Sequence, residues 1–148
     1  MSALKVLLLL ALLLHASASC ADPKWLKVSQ YPAMNNATAT VFIDTTSVIK
    51  TGQLIRVWVM VDFSEFQEGD WHAPSGESRA YMSQRQLQVV DCRTKDLGSG
   101  TWTALDGPRG TGSVVRSENK AVPIAANFPV APGTVGEAIA NESCKRAK

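Results

Sequence analysis

The chain has 148 residues, 45% of them hydrophobic, with 15 basic residues against 13 acidic. So even a balance, with no basic stripe, excludes nucleic acid as a partner, because phosphate backbones are gripped by clustered positive charge. Without an N-terminal leader, about 125 residues remain, which suits one domain with a single core and is too few for two comfortable ones.

Lys5 precedes an apolar run, Val6 to Leu14, and the small-residue stretch "HASASCA" follows. Nine apolar residues fall far short of the roughly 20 that span a bilayer as a helix. Residues 1–21 are therefore expected to be a cleaved secretory signal, and residues 22–148 the single mature domain. Cys20 lies in the cleavage zone. Cutting after Ala18 keeps it and cutting after Ala21 discards it, whereas a lipoprotein peptidase would acylate it as the first residue, the one route to a membrane contact. A lipobox carries a bulky aliphatic residue three before the cysteine, and Ser17 stands there.

The mature chain opens a series of β-like runs at "WLKVS" (25–29) and "TATVFID" (38–44). Asp44 and Ser47, in "FIDTTSV", have the spacing of side chains that cap a single turn. The third run, "QLIRVWVMVDF" (53–63), is apolar on both faces. Ile55, Val57, Val59, Val61 and Phe63 make one row, and Leu54, Trp58 and Met60 interrupt the charges of the other, so something must cover each side.

"EGDWHAPSGE" (68–77) reads as a polar loop whose Trp71 either folds back on the sheet or anchors a recognition surface. Strands follow at "SRAYMSQRQLQVVDC" (78–92), "TWTAL" (101–105) and "GSVVRS" (112–117), with "GSG" and "GPRGTG" as turns. "GPRGTG" has the glycine density of a phosphate loop but neither a following Lys-Ser or Lys-Thr pair nor a helix pattern, so a β-turn is expected. Connections this short favour an antiparallel meander.

"AVPIAANFPVAP" carries three prolines and is expected to be an extended crossing that brings the chain back to the sheet. In "PGTVGEAIANESC" the pair Thr134 and Glu137 has capping-box spacing, and Val135, Ala138 and Ile139 share a helical face. Gly136 costs that short helix about 1 kcal/mol relative to Ala, so it needs an external hold.

Cys92 and Cys144 remain in the body of an exported chain, where oxidising conditions favour a disulfide. A bridge between them would close a loop of about 50 residues, worth on the order of 4 kcal/mol by chain entropy, and would clamp the helix onto one sheet face. The other face is then left for a partner or a dimer contact. A catalytic Cys92 with His72 is disfavoured, and two cysteines with one mature histidine are too few for zinc. The chain has no G-x-S-x-G, H-E-x-x-H, Walker loop or C-x-x-C. No catalysis, metal or cofactor is expected.

The order of these motifs resembles the surface-adhesin protein E family of Gram-negative bacteria. The resemblance rests on Trp25, "FIDTTSVIKTGQLIRVWVMVDF", "SRAYMSQRQLQVVDC", "GPRGTGSVV" and "PVAPGTVGEAIANESC", with Phe128 standing where relatives carry Trp. It implies an α+β fold, mainly β: an antiparallel sheet of about six strands with a short C-terminal helix packed on one face. Cys92 and Cys144 would be its disulfide.

The expected function is a secreted or envelope-associated, non-enzymatic binding domain that meets a host or envelope protein through Trp58, Met60 and Trp71. The alternative is a periplasmic structural or stress-related protein acting as a homodimer through the same face. Either lies beyond the inner membrane, in the periplasm or on the outer-membrane surface.

Overall fold

The computed structural model describes residues 22–72, 78–119 and 126–147. The expected leader with Cys20, and the side chains of Trp71 and His72, lie outside the described part. Seven strands follow in chain order: β1 (Trp25–Pro32), β2 (Thr38–Asp44), β3 (Ile49–Thr51), β4 (Leu54–His72), β5 (Ser78–Asp91), β6 (Leu97–Leu105) and β7 (Val114–Glu118). Among the described residues there is one α-helix, α1 (Val135–Arg146).

The strands form one sheet in the order β1-β2-β4-β5-β6-β7, with β3 paired only to β4. Every pairing is antiparallel, as short connections require. The fold is thus mainly β with one C-terminal helix on the sheet, as the sequence predicts.

The strand boundaries differ from expectation at particular places. β4 runs on through "EGDW", expected as loop, because the backbone there pairs with β5 as far as His72↔Ser78. β6 begins at Leu97 rather than Thr101. Gly98 and Gly100, expected in a turn, are buried strand residues, and Gly98 lies opposite Val89. The expected "KTG" turn contains the end of the three-residue β3, and β7 starts at Val114, two residues after Gly112.

The core forms on one face, where the β4 row of Ile55, Val57 and Val59 meets Val41, Ile43, Val90, Ile139 and Ala140. Each side chain of this size contributes roughly 1.5–3 kcal/mol when fully buried. Helix α1 seats Ile139 here at 3% exposure, with Val135 and Cys144 beside it. A second cluster gathers Ala39, Phe63, Tyr81 and Ala104. Within it the rings of Phe63 and Tyr81 meet edge to face, 5.6 Å apart.

The helix start follows from its sequence. Thr134 Oγ1 accepts from Glu137 N at 3.3 Å, and Glu137 Oε2 accepts from Gly133 N at 2.7 Å. The carboxylate therefore reaches one residue beyond the N-cap, a variation on the expected reciprocal pair. Gly136 leaves room for its neighbours: a Cβ there would lie 3.1 Å from Leu97 Cδ1. The Cys92–Cys144 disulfide, with its Cα atoms 5.6 Å apart, joins the end of β5 to the last turns of α1. Upstream, the extended crossing returns as expected, with Leu97 N donating to Phe128 O at 2.9 Å and Phe128 N to Leu97 O at 3.0 Å.

Candidate functional site

The face turned away from α1 carries the second β4 row, Arg56, Trp58, Met60 and Asp62. Registered beside Met60 are Phe42 on β2 and Arg85 on β5, and beside Arg85 is Thr103 on β6. Opposite residues of antiparallel strands share a face, so an aromatic, a thioether and a guanidinium lie side by side. Met60, flanked in this way, is only 2% exposed.

Part of this face is covered by the turn that links β6 to β7. Asp62 Oδ1 accepts Arg109 N at 2.6 Å, and the Ser83 hydroxyl both donates to Gly107 O at 2.6 Å and accepts Gly110 N at 2.9 Å. Arg85 Nη2 donates to Gly110 O at 2.7 Å. The segment expected to be a simple β-turn is a short 3₁₀ turn, Pro108–Gly110, folded down on β4 and β5. Gly110 makes the approach possible: its φ is +70°, and a Cβ would stand 2.7 Å from Arg85 Nη2 and collide with Nε.

Beside this cover a cavity of about 360 Å³ stays open, lined by Pro23, Trp25, Asp44, Trp58, Arg85, Thr103, Leu105 and Val114. The Arg85 guanidinium stands 5.8 Å from the centre of the Trp25 ring, within the range of cation–π attraction. Asp44 Oδ1 accepts Lys24 N at 3.0 Å, Thr46 N at 2.9 Å and Thr46 Oγ1 at 2.6 Å. Ser47 Oγ donates to Asp44 O and accepts Trp58 N. The turn-capping role expected of Asp44 and Ser47 is therefore present, and it also anchors the start of β1 and the backbone of Trp58.

The far end of the sheet is a two-stranded ribbon. β2 leaves β4 at Phe63 and β6 leaves β5 at Ser83, yet β4 and β5 continue through Gln67↔Tyr81, Glu68↔Ala80 and His72↔Ser78. Phe66 stands on this ribbon at 53% exposure.

Among the described residues no group of three or more His, Cys, Asp and Glu could hold a metal ion, and no helix is long and apolar enough to cross a membrane. The family model for surface-adhesin protein E matches residues 25–145. The chain belongs to the surface-adhesin protein E family. No curated protein matches it.

Among solved structures it is similar to Haemophilus influenzae protein E. Crystal form II of that protein shares 18% identity over 71% of this chain and 80% of that one, with a TM-score of 0.54. Another structure of it shares 16% over 80% and 83%, with a TM-score of 0.55. Protein E from a non-typeable strain shares 17% over 84% and 81%, with a TM-score of 0.53. At such identities the likeness establishes the shared fold alone.

Of the residues singled out from the sequence, Cys92 and Cys144 are joined. Trp58 lines the cavity. Met60, registered between Phe42 and Arg85, is 2% exposed in the folded chain. Cys20 and the Trp71 side chain lie outside the described part. Arg85 and Trp25 were not expected to share a site. Their 60-residue separation leaves no local pattern, and only the strand order brings them together.

Proposed function

We propose that this member of the surface-adhesin protein E family is a non-catalytic binding domain, exported to the cell envelope, that engages a protein partner through the β4–β5 ribbon. The observation that supports this most is the exposed Phe66 on a ribbon that leaves the sheet, with Trp71 further along the same strand. A paired ribbon presents side chains at fixed spacing, and aromatic anchors dominate binding energy at interfaces. Residues 1–21 would direct export, and the site would face either the periplasm or the exterior.

The burial of Met60 weighs against the alternative of a periplasmic structural dimer through Trp58 and Met60, because half of that apolar pair is already enclosed. Capture of host-matrix or envelope proteins by the immobilised domain tests the proposal. Phe66→Ser and Trp71→Ala should each reduce capture of the same partner while circular dichroism stays unchanged. Equal capture by both variants would remove the ribbon from consideration. Sedimentation at micromolar concentration addresses the dimer.

A further inference from the structure

We infer that the cavity between Trp25, Trp58 and Leu105 is a binding site for a small monocarboxylate with an apolar body, the carboxylate seated on Arg85. The cavity, about 360 Å³, lies within the size range of small-molecule sites. Its walls are largely apolar: two indoles, Pro23, Leu105 and Val114.

The polar group that gives the site its chemistry is the Arg85 guanidinium. Among the described residues, only Nη2 finds an acceptor, Gly110 O, and Nε is buried with none. The ion pairs of the described residues join Arg116 to Glu118 and both Lys145 and Arg146 to Glu142, so Arg85 has no carboxylate counter-ion. The Trp25 ring face compensates part of the charge. A half-buried cation with free donors still lacks its strongest partner, and a carboxylate on a planar guanidinium is the geometry that arginine serves better than lysine.

The arginine is also held in place. Gly110 O takes Nη2, and the absence of a side chain at 110 lets the turn press against the guanidinium. This fixes the head group before a ligand arrives, which lowers the ordering cost of binding. Asp44, in the same lining, sets the charge limit. Its Oδ1 already accepts from three donors, and a second carboxylate on the ligand would be repelled by this side chain. One carboxylate and an apolar remainder therefore fit, and a dicarboxylate does not. The inference does not depend on the ribbon partner, and either can fail alone.

The test uses indole-3-acetate and its neutral amide as probes, followed through the indole Nε1–H signals of the mature protein by NMR. Titrating the acid should shift Trp25 and Trp58 saturably and leave Trp102, outside the cavity lining, unmoved. The amide should bind at least about tenfold more weakly, as expected for loss of a hydrogen bond to a charged group. Arg85→Gln should weaken the acid to the level of the amide, and Arg85→Lys should restore part. Unchanged Arg109 and Gly110 amide signals would show that the turn survives the substitution. If Arg85→Gln unsettles that turn, the acid-to-amide ratio on the unaltered protein carries the test. Equal binding of acid and amide, or no saturable shift at millimolar probe, would overturn the site.

Discussion

Arg85 and Gly110 hold each other in place. The guanidinium donates to the glycine carbonyl at 2.7 Å, and the glycine leaves room for the guanidinium only because it has no Cβ. Gly110→Ala combines a strained positive φ with a collision against Arg85, and should destabilise the domain by about 2 kcal/mol. Urea unfolding measures this. Placing the same change in an Arg85→Ala background should recover part of the loss, since the collision is then removed. Strict additivity of the two changes would show that they do not meet.

The disulfide is expected to act chiefly on the helix. Cys92 and Cys144 are separated by 52 residues, for which chain entropy gives about 4 kcal/mol. Reduction should lower stability by a figure of that order, and hydrogen exchange in residues 135–146 should rise before exchange in β4 and β5. Unchanged exchange in α1 under reductant would mean that Ile139 and Ala140 hold the helix without the sulfur link.

Ile139 tests that packing directly. At 3% exposure against Val41, Val57 and Val90, its replacement by Ala should cost about 2–4 kcal/mol in a denaturant titration. A cost below about 1 kcal/mol would show that the site collapses around the smaller side chain.

Asp44 should matter for stability. Its Oδ1 receives the Lys24 and Thr46 amides and the Thr46 hydroxyl. Asp44→Ala removes the acceptor of three part-buried hydrogen bonds, and the expected loss is about 1–2 kcal/mol. Exchange of the Lys24 and Thr46 amides should quicken at the same time, and unaltered exchange there would contradict the capping role.

Alkaline pH should weaken the fold through Tyr31, because burial raises its phenol above the usual value. The unfolded chain then ionises first. The stability tied to this group is complete below the unfolded value near 10 and is lost as pH rises through the higher folded value. Tyr31→Phe should flatten the decline in melting temperature across that window. An unchanged slope would assign the decline to other groups.

The sequence was legible where one strand face is buried and the other is not. β2 has the predicted bounds, Thr38–Asp44, and its buried Ala39, Val41 and Ile43 alternate with the less buried Thr38, Thr40 and Phe42. The helix was legible from Thr134 and Glu137. The ribbon was not, since "SEFQEGDWH" carries no alternating apolar row and its pairing with β5 is interrupted between Asp62 and Gln67. The start of β6 was hidden by Gly98 and Gly100, turn residues that here occupy buried strand positions. The cavity was half legible: Trp58 stood out as an apolar residue on a face that should be wet, while Trp25, Arg85 and the turn over Ser83 come together only through long-range pairing.

Helix α1 packs chiefly on β1, so the last element of the chain rests on the first. Successive strands of the meander can pair as the polypeptide emerges, N-terminus first, because most neighbours in the sheet are also neighbours in sequence. The helix has no such early option. Until residue 144 is out, Cys92 lacks its native partner and the apolar row of Val41, Ile43 and Val57 has no roof. A chain truncated before residue 135 would lack both that roof and the sulfur link.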